Sequence, residues 1–199
     1  MGPDEIFLLI RKSIVRVTID KEEICGIIIA CKAGLAYVIA DATDYSQGCK
    51  INVKFPDDNW AAPLETDCYE HNGILGMCCH IISSGGFDRN VVSEVDICED
   101  DADECEKVYV YEGLLGTINE GHAMKIDQEH YKVTNLAGDY SQYGAPVVKE
   151  DGRLVGFCCS FKHSLTAKTI VSVADSFERS HNRNFTCLAE TLSYLRTII

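Results

Sequence analysis

Two sets of about six short apolar or alternating runs, parted by an acidic stretch near mid-chain, are what most restricts the fold of this sequence. In the first set, Ser13 to Ile19 alternates apolar and polar residues and is rich in β-branched side chains. Ile24 to Ala30 (ICGIIIA) and Leu35 to Ala40 (LAYVIA) are continuous apolar runs of the length of buried strands. Ile51 to Phe55 ends at the turn Pro56-Asp57-Asp58-Asn59; Trp60 to Glu65 leads back, and Gly73 to Ile82 is again apolar. The second set opens with Lys107 to Glu112 (KVYVYE). It continues through Leu114 to Ile118, His122 to Ile126 and Tyr131 to Leu136, and closes with Ala145 to Val148, Arg153 to Phe161 and Thr169 to Val173.

This spacing suggests a barrel or sandwich, and two such sets with a linker and a terminal helix fit an all-β chain of two six-stranded antiparallel barrels, since closed barrels remove sheet edges without needing many helices. The expected organisation is one domain over 1–199. Its parts are an N-terminal barrel over 13–93, an acidic linker over 94–106, a C-terminal barrel over 107–174 and a C-terminal helix over 184–199. The helix rests on the stripe Phe185, Leu188, Leu192, Leu195 and Ile199, which is expected to pack on the barrel, a partner-binding face being the other reading. Pro3 to Lys12 is amphipathic and fits one short N-terminal helix.

The net charge of −13 and the want of a Lys/Arg cluster speak against nucleic acid. The run Glu99 to Glu104 is expected to be a solvated loop. It lacks the ligand spacing of a calcium loop, and no Cys/His spacing fits zinc, so no metal or cofactor is expected. The 11 cysteines sit largely in apolar runs, and neighbours such as Cys78-Cys79 and Cys158-Cys159 point to opposite faces of a strand. With no signal-like start and no membrane-length apolar run, the expected location is the cytoplasm or nucleus, away from membranes.

The segment LAGDYSQYGAPVVKEDGRLVGFCCSF, Leu136 to Phe161, carries the chemical signal. It resembles the nucleophile region of trypsin-like (chymotrypsin-fold) serine proteases of the HtrA/Deg type. Gly144-Ala145-Pro146-Val147-Val148 takes the place of G-G-P and its apolar pair, Asp151-Gly152 is the turn, and Leu154 to Phe157 is the strand beyond. Upstream, Ile27 to Ala42 resembles the paired strands that end in T-x-A-H. In look the chain is also similar to the degenerate trypsin-like domain proteins of grasses.

The resemblance implies a vestigial nucleophile loop of Ser141, Gln142, Tyr143, Gly144, Ala145 and Pro146, with Tyr143 at the serine position. It implies Thr43 at the histidine position and Asn72 or Gly73 at the acid position. Threonine cannot accept a proton near neutrality, and a phenol with a pKa of about 10 is no ready nucleophile. The expectation is therefore no catalytic residue and no enzyme: a pseudoprotease binding a protein or peptide in a cleft of Tyr143, Gly156, Phe157 and Cys158. The alternatives are a self-assembling module with a closed cleft, hence a homo-oligomer, and a serine hydrolase using Ser141 with His71, His80 or His163 as base.

Overall fold

The computed structural model describes residues 1–32, 34–64, 67–71, 73–80, 88–98, 100–112, 116–134, 144–160, 163–166 and 168–170. One helix, α1 (Pro3–Ile10), with Pro3 at its first turn, runs through a short 3₁₀ turn (Arg11–Ser13) into the first sheet. That sheet contains β1 (Ile14–Ile19), β2 (Glu22–Lys32), β3 (Leu35–Asp41), β4 (Ile51–Lys54), β5 (Trp60–Ala61), β6 (Cys68–His71) and β7 (Ile74–His80), in the order β5-β4-β1-β2-β3-β7-β6. The second contains β8 (Lys107–Glu112), β9 (Thr117–Lys125), β10 (His130–Thr134), β11 (Pro146–Lys149), β12 (Leu154–Ser160) and β13 (His163–Thr166) and closes into a barrel, β10-β13-β12-β11-β8-β9. Every ladder between named strands is antiparallel.

Three apolar clusters explain why these runs fold as they do. One lies inside the first sheet (Val15, Val17, Ile28, Val38, Leu75, Met77), and one inside the second (Val108, Val110, Val133, Val147, Val155). The third draws on both sheets and on α1: Ile6, Ile10, Cys25, Ile27, Ile39, Ile74, Tyr109, Tyr111, Val148 and Phe157. Strands β2 and β3 thus bury both faces, which is why their sequences are unbroken apolar runs rather than alternating ones. In β8 the alternation survives, Val108 and Val110 facing the barrel interior and Tyr109 and Tyr111 the inter-sheet core.

Three local features differ from the sequence expectation. The first sheet has seven strands, not six; the extra one is β6, whose polar CYEH carries no strand signal. It forms because Gly73 takes a positive φ of 77° before β7, and the Glu70 carboxylate accepts the Gly73 N–H at 3.1 Å. Of the two runs expected over 114–126, the described residues 117–125 form one strand, β9, which continues through Gly121. The closing strand is β13, and residues 168–170 are helical. The Thr166 hydroxyl accepts the Thr169 N–H at 3.3 Å and so ends the strand by capping the helical turn beyond it. The acidic segment is tied down: Val95 donates to the Ile28 carbonyl, Cys98 to that of Leu154, and the Glu104 carboxylate accepts the Lys125 N–H. The C-terminal helix expected over 184–199 lies outside the described residues, and among those described no helix is long and apolar enough to cross a membrane.

Candidate functional site

Thr43 follows the end of β3 and is exposed. Its backbone N–H is held at 2.8 Å by the carboxylate of Asp41, and the N–H of the intervening Ala42 donates to the Gly73 carbonyl at 2.9 Å. The turn carrying Thr43 and the turn carrying Gly73 are therefore joined. Asn72, Ser141, Gln142 and Tyr143 lie outside the described residues.

Gly144 brings the second barrel to the same corner. It adopts φ 87°, donates its N–H to the Cys158 carbonyl at 2.7 Å, and presses on β2 so closely that a Cβ there would lie 2.6 Å from the Cys25 carbonyl oxygen. The β2–β3 ladder pairs Gly26 with Ala40, so Cys25 stands one step along, beside Asp41. Ala145 and Pro146 are buried and lead into β11.

Of the residues expected to line a cleft, Gly156, Phe157 and Cys158 lie in β12. Phe157 is 0 % exposed in the inter-sheet core, and Cys158 faces the interior of the second barrel. A shift in the β11–β12 register, where Val147 pairs with Gly156 but Val148 with Leu154, leaves Val155 as an extra residue. That insertion turns Phe157 inward between the sheets. The exposed rim of the corner is instead Thr43 and Gly73.

Asp41 is the residue that sequence reasoning missed. It is 4 % exposed, and its register partner Ile74 pairs on its other side with His71. Directly paired residues point to one face, so Asp41, Ile74 and His71 share the face toward the inter-sheet core. The outer two are two strand spacings apart, roughly 10 Å. His80 pairs with Leu35 at the far end of β3, six residues or about 20 Å away along the strand. Among the proposed bases, His71 is thus at the corner and His80 is not; His163 is placed by its backbone only, pairing with Lys132.

Burial raises the Asp41 carboxyl above the ordinary range; the Thr43 hydroxyl and N–H pull it down, and the Asp44 charge adds to the rise. The folded chain thus holds this proton more tightly than the unfolded chain. Ionisation begins to cost stability above the unfolded value of about 4, and the full cost is present above the folded value. Asp41→Asn removes that cost. The variant is expected to melt above the wild type near pH 7, with the gain shrinking as pH falls and gone below about pH 4. Paired thermal melts across this window check it; a gain independent of pH contradicts it.

Burial pushes the Cys31 thiol up to about 12. Among the described residues no group of three His, Cys, Asp or Glu side chains is arranged to hold a metal.

No family model matches the chain, and no curated protein matches it. Among solved structures it is similar to the Rv3671c protease in its inactive form, with a TM-score of 0.61 and 13 % identity over 86 % of this chain and 92 % of that one. The fold is thus the chymotrypsin-like double barrel that the sequence resemblance implied. The expectation that the chain is no enzyme does not stand. Its fold is shared with a protease, and Asn72 and Tyr143, two of the positions on which that expectation leaned, lie outside the described residues.

Proposed function

We propose that the chain binds an extended polypeptide segment at the corner where the Gly144 turn meets Thr43 and Gly73. The observation that carries this reading is the packing of Gly144 on the Cys25 carbonyl, which fixes a loop of one barrel against a strand of the other. Clefts where two packed units meet are common binding places, and a sheet rim can accept an added strand. A shift in the β12–β13 register between Cys158 and Ser160 bends β12 beside this turn. Tyr143, next to Gly144 in sequence, supplies a side chain suited to such contacts.

Titration with a fluorescein-labelled random decapeptide pool, read by anisotropy, is the test. Tyr143→Ala is expected to weaken binding about fivefold or more with an unchanged melting temperature. A pool that fails to bind, or binds the variant equally, overturns the reading.

A second reading, cleavage of the bound segment, is favoured by the place of His71 in the Asp41–Ile74 row and by the protease fold. In it the Ser141 hydroxyl attacks the scissile carbonyl while His71 takes its proton and returns it to the departing amine as the C–N bond breaks, and water then hydrolyses the acyl-serine ester. Labelling by a fluorophosphonate that is lost in both Ser141→Ala and His71→Ala supports cleavage; labelling unchanged in either variant, or none at all, removes it.

A further inference from the structure

We infer that a cavity between the 3₁₀ turn, β1, the β4–β5 turn and β8 is a binding site for a small phosphate monoester. The cavity has a volume of about 280 Å³. Arg11, Arg16 and Lys54 line it together with the Tyr111 ring, against one carboxylate, Asp58. On a chain of net charge −13 this is a local reversal of sign. The long-range field repels a dianion, so such a ligand can be held only where cations converge at contact distance.

The strand register supplies the sharper argument. Arg16 and Lys54 are directly opposed in the β1–β4 ladder. Like charges in directly opposed positions destabilise a sheet, and an anion seated between them turns that repulsion into attraction. The carboxylates already present compensate only weakly. Glu23 lies 3.6 Å from Arg16 with both side chains about half exposed, and Asp58 lies 3.3 Å from Lys54 with its own side chain 85 % exposed. The Arg11 and Arg16 charges also reach the buried Tyr111 phenol, where both oppose the rise that burial imposes on it.

The choice of phosphate follows from charge and shape. A phosphomonoester is close to a dianion at neutral pH and offers three oxygens to guanidinium forks. The choice of an ester follows from the rest of the lining. Pro56, with the edges of the buried Ile14 and Phe55, adds an apolar part to the lining that inorganic phosphate has no use for. The volume lies just under the roughly 300 Å³ at which small-molecule pockets begin. Tyr111, stacked on Phe7 of α1 at 5.3 Å, gives the site a rigid floor.

The protein carries its own reporter. Its single tryptophan, Trp60, pairs with Lys54 across β4–β5, and the ammonium lies 5.6 Å from the ring centroid. A ligand that draws Lys54 away changes the environment of that ring. Phenyl phosphate, inorganic phosphate and phenol are titrated against the wild type, Arg16→Gln, Lys54→Gln and, as a charge control outside the lining, Lys21→Gln. Trp60 fluorescence and calorimetry are the readouts, and melts confirm folding.

Phenyl phosphate is expected to bind at least about tenfold more tightly than inorganic phosphate or phenol. Arg16→Gln and Lys54→Gln are each expected to cost about tenfold or more, and Lys21→Gln almost nothing. Equal binding of inorganic phosphate would show that the apolar part of the lining contributes nothing and sink the ester assignment. Equal loss in Lys21→Gln would reduce the effect to general charge, and no binding by phenyl phosphate would remove the site. None of these outcomes bears on the peptide pool, whose proposed corner uses other residues.

Discussion

Replacing Gly144 by alanine is expected to destabilise the protein by about 2–5 kcal/mol. Two costs combine. The backbone at φ 87° is open to glycine and strained by roughly 1–2 kcal/mol for a residue with a Cβ. The new methyl would also stand 2.6 Å from the Cys25 carbonyl oxygen and 3.4 Å from the Phe157 ring. The carbonyl is part of the β2 ladder and cannot swing aside, so relief requires the two sheets to part, at a further cost of about 1–3 kcal/mol. Gly48 separates these contributions. It has φ 89° but nothing within 4 Å of an added Cβ. Gly48→Ala is therefore expected to show only the strain, about 1–2 kcal/mol. Urea denaturation of both variants measures the difference; equal losses would mean that the inter-barrel contact at Gly144 is slack.

The other large effect is expected from Phe157→Ala, at about 3–5 kcal/mol. The ring is fully buried in the cluster that joins the sheets and α1, where it is among the largest enclosed side chains. Its removal leaves a cavity that the surrounding strands cannot close, since β12 is held on one side by β11 and on the other by β13. Phe157→Leu, which keeps most of the volume, is expected to lose about 1–2 kcal/mol. A loss below about 1 kcal/mol for the alanine variant would mean that the inter-sheet core contributes little to the fold.

What could be read from the sequence depends on which interactions leave a local trace. The apolar runs of β2 and β3 announce burial on both faces, and the Gly144 to Gly156 block announces the fold. Strand β6 is invisible because its pairing depends on the turn at Gly73 rather than on its own polar residues. The run Thr169 to Val173 reads as strand from its β-branched residues, yet the Thr166 hydroxyl caps a helical turn over 168–170. Asp41 looks like the last residue of an apolar strand, and only register shows that it shares a row with His71. The opposition of Arg16 and Lys54 likewise joins residues far apart in sequence and requires the ladder itself.

The binding proposal is tested most directly by amide hydrogen exchange with and without the random decapeptide pool at saturating concentration. Slower exchange is expected at Thr43, Gly73 and the residues following Gly144, with the β9–β10 hairpin over 117–134 unchanged. Protection confined to that hairpin, or no protection anywhere, would contradict the account.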